Sequence, residues 1–261
     1  MIPVFDALIK VERDLHGSSR PWIVTINNNG RLEEYVIKLF DNRNLMQVPL
    51  HNKELYAACL AEEFDIPTPE YALINLNQAF IQTLKGEDRL RIEELTVKVV
   101  FGCKYYEGYS DLPVSIKTSL IKELSPETVF AFDVLIMNFD RTRTRKPNLI
   151  INGNDYYCID HEHSLYVNRV FSKYDIQDWG PFRTSSTSHV FFDFLRKSNN
   201  VDFSLFMDLL RSFRTSCLDK AFNVLNDNNM NTEDFEETNA YLQDVINNKQ
   251  KFHNLLNDLI S

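Results

Sequence analysis

The apolar positions of this chain change character along its length. Early runs are short and β-rich; later ones recur every three to four residues. Trp22 to Ile26 and Tyr35 to Phe40 read as two strands, separated by Asn27-Asn28-Asn29-Gly30. Asn and Gly tolerate positive φ, so this stretch predicts a hairpin turn. Val4 to Val11 is a short apolar stretch, and the β-branched run Thr96 to Phe101 reads as a strand; Tyr71 to Ile74 lies between them, and Gln78 to Glu94 has no clear period. Asn52 to Glu63 predicts a helix with a mixed apolar face of Leu55, Ala58, Cys59 and Ala61. It ends before Pro67 and Pro69, which enforce an extended chain.

The second part reads differently. Pro126 to Met137 carries apolar residues too densely for a one-sided surface helix, so a buried helix is expected, with Ser125 as cap and Pro126 in its first turn. Leu149 to Ile151 and Tyr156 to Ile159 form a predicted hairpin about Asn152-Gly153-Asn154. Phe203, Phe206, Met207, Leu210 and Phe213 repeat at helical spacing, as do Leu242, Val245, Ile246, Phe252, Leu255, Leu256 and Leu259. The Asn-rich patch Asn226 to Asn231 reads as a turn between terminal helices. The expected class is α+β, with a β-rich part over residues 1–101 and a larger, mainly helical part over 102–261.

Composition narrows the function classes. The 261 residues are 44% hydrophobic and 25% charged, ordinary for a globular protein. A net charge of -9 disfavours general attraction to nucleic acid or to an anionic membrane. No apolar run approaches the ~18 residues of a membrane span, and the amino terminus lacks a basic leader. The four cysteines form no CxxC pair. Free thiols and a cytoplasmic location are expected.

The densest chemistry lies between Phe130 and Leu165. Asp140 opens a polar loop, Asn148 closes it, and Asp160 ends the hairpin that follows. Phosphoryl transfer needs a group to orient the acceptor hydroxyl, oxygen ligands for magnesium and a cation for the phosphates. Asp140 can supply the first; Asn148 and Asp160 can supply the second. A candidate for the third is Lys38, which in a strand shares a face with Val36 and Phe40. Upstream, Gly17, Ser18 and Ser19 precede the first hairpin, where a phosphate-covering loop would lie. Glu54, in the predicted helix, either pairs with Lys38 or complements the helix dipole.

The strings Asn138-Phe139-Asp140-Arg141, Pro147-Asn148-Leu149-Ile150 and Ile159-Asp160-His161-Glu162-His163-Ser164-Leu165 resemble the HipA-like kinase family. So do Glu54 followed by Pro67-Thr68-Pro69-Glu70, and Phe101-Gly102 where a linker would meet the adenine. The resemblance implies a two-lobed, protein-kinase-like fold that uses ATP and magnesium. Lys38 would hold the α and β phosphates, Glu54 would hold Lys38, and Asp140 would be catalytic. Asn148 and Asp160 would ligate the metal, with Arg141 a structural partner of the loop or a phosphate contact. The acceptor implied is a protein Ser or Thr.

Asn148 lies eight residues after Asp140, whereas protein kinases place this asparagine five after, at a position held here by Arg145. That spacing keeps a nucleotide-binding pseudokinase open, and a small-molecule phosphotransferase shares the same order of residues. Arg141, Arg143, Arg145 and Lys146 could attract an anionic substrate or balance nearby acids. His161 and His163 lack further ligands nearby in sequence, which argues against zinc. The hydroxyl run Thr184 to Ser188 reads as a flexible loop, with a substrate loop as the alternative.

Overall fold

The structure is a computed structural model that describes all residues except 14, 16–19, 41–48, 114, 144, 146 and 168–184. Gly17, Ser18, Ser19 and Lys146 therefore lie outside the described residues, as does Thr184, the first residue of the hydroxyl run. The fold is mixed α+β, β-rich in its N-terminal part and helical in its C-terminal part. Two compact units divide the chain: residues 1–55, 69–107 and 220–232 in one, and 56–68, 108–219 and 233–261 in the other.

The first unit is built on a closed five-stranded barrel. Its strands are β1 (Val4–Val11), β2 (Trp22–Asn28), β3 (Arg31–Ile37), β4 (Tyr71–Asn75) and β5 (Val99–Lys104), in the order β1-β2-β3-β5-β4. β2 and β3 turn through Asn29 and Gly30 at φ 51° and 87°, the two positive values of a type I′ hairpin. Parallel pairing of β1 with β4 closes the barrel and leaves neither strand as a free edge. Val24, Ile26, Tyr35, Ile37, Ile74 and Val100 fill its inside. Between β4 and β5, the stretch without a clear period forms two short helices, α2 (Gln78–Thr83) and α3 (Gly86–Glu94), after the longer α1 (Leu50–Glu63). Phe80, Ile81 and Ile92 from α2 and α3 add to the same core.

β5 starts three residues later than the expected strand at Thr96. The cause is local: Lys98 Nζ donates to the carbonyls of Ile92, Glu93 and Leu95, so residues before β5 finish the end of α3. The strand also runs on to Lys104, so Gly102, expected just after it, sits within it beside Phe101. Gly102 is required by packing, because a Cβ there would lie 2.7 Å from Ile74 Cγ1 and 3.2 Å from Ile37 Cγ2. Gly102→Ala is expected to destabilise the protein by about 1–3 kcal/mol through overpacking. Urea denaturation measures this directly, and an unchanged midpoint would refute the crowding argument.

In the second unit, α4 (Thr118–Glu123) leads into α5 (Pro126–Leu135), of which Val129 to Leu135 are all buried. Ser125 does not cap α5 through its side chain. It adopts φ 47°, and its hydroxyl hydrogen-bonds to Tyr156 instead. The helix stops before Met137, which turns the chain in a left-handed conformation at φ 55°. β6 (Ser110–Asp111), β7 (Leu149–Asn152) and β8 (Asp155–Cys158) form a small antiparallel sheet. α6 (Phe192–Lys197), α7 (Ser204–Ser212), α9 (Phe235–Asn247) and α10 (Lys249–Ile260) complete this unit, while α8 (Asp219–Asp227) belongs almost wholly to the first.

The stripe on α7 packs as its spacing predicts: Phe206 stacks on Phe64 at 4.7 Å between centroids, and Phe213 lies 5.1 Å from the same ring. Tyr241 on α9 donates to the Leu135 carbonyl at 2.8 Å, satisfying the end of α5. All four cysteines are free thiols. Among the described residues no helix is long and apolar enough to cross a membrane.

Candidate active site

In the first unit, Lys38 is the first residue past β3, and its Nζ lies 2.5 Å from Glu54 Oε1. Glu54 is nearly enclosed, its side chain only 3% exposed, so the carboxylate depends on this partner. α1 begins at Leu50, two residues before the expected start, and has no acid in its first turn. Glu54 therefore lies beyond the reach of a first-turn dipole role. One turn earlier on the same helix, the buried His51 accepts the Phe101 N–H through Nδ1 at 3.2 Å and rests against Phe40. Burial, assisted by the Lys38 charge, pushes the imidazole down to about 3.

The second unit brings Asp140 and Asn148 together. Asn148 Nδ2 donates to Asp140 Oδ2 at 3.2 Å, although eight residues separate them in sequence. The intervening loop is held by main-chain pairing: Arg143 N–H donates to the Ser188 carbonyl, and Val190 N–H to the Arg141 carbonyl. Asn148 has φ 51° and Asp160 φ 66°, left-handed values at both ends of the β7–β8 hairpin. Asn and Asp tolerate that region better than other side chains, yet such backbone is costly and gathers at functional sites. Asp160 lies two residues beyond β8, with a carboxylate oxygen within 4.8 Å of one from Glu162.

Beneath this loop is a buried polar cluster organised by Arg141. Its guanidinium donates through Nε to Asp133 Oδ2 at 2.6 Å, through Nη1 to the Asn148 carbonyl, and through Nη2 to His161 Nε2 at 3.0 Å. Arg141 is only 1% exposed, which removes it as a phosphate contact and makes it the structural partner of the loop. Of the neighbouring cations, Arg143 pairs with Asp193 at the surface. His161 is buried and His163 exposed, so the two histidines face different surroundings.

Asp133 and His189 are the members that motif reasoning missed. Phe191 N–H donates to His189 Nδ1 at 3.1 Å, so Nε2 carries the proton and donates to Asp133 Oδ2 at 2.9 Å. Burial lowers His189 and outweighs the pull of Asp133, which keeps the ring neutral. For Asp133 the balance runs the other way. Burial opposes its charge, but Arg141 and the His189 hydrogen bond prevail and hold it at about 2. Burial likewise opposes the Arg141 charge, and the Asp133 carboxylate overcomes it and raises the guanidinium above its ordinary value. The one available signal was a lone acid inside the apolar run Val129 to Met137.

A profile of the HipA-like kinases matches residues 9–253, nearly the whole chain. The chain belongs to the HipA-like kinase family. Membership makes this HipA-like kinase a phosphotransferase by class. Among solved structures, it resembles the crystal structure of a Helicobacter pylori proinflammatory kinase, CtkA, with a TM-score of 0.52 and 14% identity. That match covers 100% of this chain and 98% of the other. At that identity the likeness speaks for the fold alone. No curated protein sequence matches this kinase.

Proposed function

We propose that this HipA-like kinase transfers the γ-phosphate of ATP, in the presence of magnesium, to the hydroxyl of a protein Ser or Thr. The observation that carries the reading is the 3.2 Å contact between Asn148 and Asp140, which the sequence spacing had put in question. It supports a working enzyme over a nucleotide-binding pseudokinase. In this reading Asp140 orients the acceptor hydroxyl and takes its proton as the oxygen attacks phosphorus; the bond from phosphorus to the β–γ bridging oxygen breaks and ADP leaves.

Asn148 and Asp160 offer oxygen donors of the kind a hard divalent cation prefers, and they are the residues that would hold magnesium. When bound, the ion neutralises charge on the phosphates. Residues 1–101 serve as the nucleotide-binding part. There Lys38 neutralises the α and β phosphates, and Glu54 fixes the direction of its ammonium group.

The test is magnesium-dependent transfer of labelled phosphate from ATP to casein or to the chain itself, comparing the parent with Lys38→Met. The variant is expected to lose about a hundredfold in kcat/KM, since a preorganised cation on developing phosphate charge contributes on that scale. ATP binding without turnover in the parent would replace this reading with the pseudokinase. Transfer to small hydroxyl compounds but to no protein would point to a small-molecule phosphotransferase.

A further inference from the structure

We propose that Asp133, a residue with no part in the chemistry itself, positions both Asp140 and Asn148 for phosphate transfer. The inference rests on the reading that those two residues act in the reaction. Each oxygen of the Asp133 carboxylate leads to one of them. Oδ1 accepts from Asn138 Nδ2 at 2.9 Å, and Asn138 Oδ1 in turn accepts the Asp140 N–H at 3.2 Å. Oδ2 accepts from Arg141 Nε, and the other arm of that guanidinium holds the Asn148 carbonyl. The same carbonyl accepts the Ile159 N–H at 3.0 Å, so two donors hold Asn148 in its left-handed conformation.

A merely structural plug would not need this chemistry. A buried ion pair is often no more stabilising than apolar residues of similar volume. What a carboxylate and a guanidinium add is direction, because each bond fixes an atom relative to a rigid partner. The anchor is itself rigid: Asp133 lies in the fully buried portion of α5, and its own position is fixed by His189 from the strip that pairs with the loop. A displacement of about 1 Å at a reacting group can cost a hundredfold in rate.

The experiment measures kcat, KM for ATP, the magnesium concentration for half-maximal rate and the melting temperature. Asp133→Asn is expected to lower kcat about a hundredfold and to raise the magnesium requirement, with KM for ATP within about threefold of the parent. Because that variant can also weaken folding, Arg141→Lys provides the second arm. It keeps a cation opposite Asp133 but loses the fork that reaches Asn148. A drop in kcat of at least about tenfold at a nearly parental melting temperature is expected for it. An active parent whose Arg141→Lys variant keeps its kcat and magnesium requirement overturns this inference alone. A parent that transfers no phosphate to any acceptor overturns the proposed function and this inference with it.

Discussion

Asp140→Asn is expected to slow phosphate transfer by about 10²–10⁴-fold while leaving the melting temperature close to that of the parent. The amide keeps the size of the carboxylate and can still meet the Asn148 side chain, which lies 3.2 Å from Asp140 Oδ2. The Asn138 bond goes to the Asp140 main chain and is untouched by the change. The substitution removes only the negative charge that would receive the acceptor proton. Single-turnover transfer, with circular dichroism on the same sample, separates chemistry from folding. A rate within threefold of the parent would exclude Asp140 from the proton step.

The second large effect is on acid stability. His51 is held at about 3 in the folded protein against an ordinary value of 6.5. Between those values the unfolded chain binds a proton that the folded chain refuses. Stability therefore falls as pH drops from about 6.5 toward 3, at up to ~1.4 kcal/mol per pH unit from this group. Asp133 acts in the same direction but lower. Its contribution is complete above the ordinary carboxylate range and is lost as pH falls through about 2.

His51→Asn isolates the histidine, because the amide oxygen can still accept the Phe101 N–H while nothing titrates. Urea unfolding from pH 6.5 to 4 should cost the parent about 3 kcal/mol more than the variant. Parallel slopes for the two proteins would show that His51 is not the source.

Much of this was legible because the decisive interactions are local. Asn29-Gly30 specifies its hairpin by backbone preference alone, and the Phe206 and Phe213 stripe specifies its buried face by period. The contact between Lys38 and Glu54 could be anticipated because strand and helix arrive in the order the resemblance requires. Where reasoning fell short, the missing partner was distant or unmarked. The parallel pairing of β1 with β4 joins residues nearly seventy positions apart and leaves no trace in either strand's pattern. β5 was displaced because Lys98 turns back to α3, a side-chain choice that β-propensity does not register. Counting residues also said nothing of the contact between Asn148 and Asp140, since a loop folded back on Ser188 and Val190 does not translate spacing into distance. Asp133 was hidden inside a helix whose other residues speak only of burial.

The discontinuity of the two units has a consequence for how the protein is made. The barrel strands have all emerged once synthesis passes Glu107, yet the unit that contains them also includes residues 220–232. Asn52, at the start of α1, donates its side-chain N–H to the carbonyl of Asn231. A nascent chain must therefore hold α1 without that partner while more than a hundred further residues are translated. For the same reason, a fragment cut at Glu107 carries every strand of the barrel but not the unit that natural synthesis finally completes.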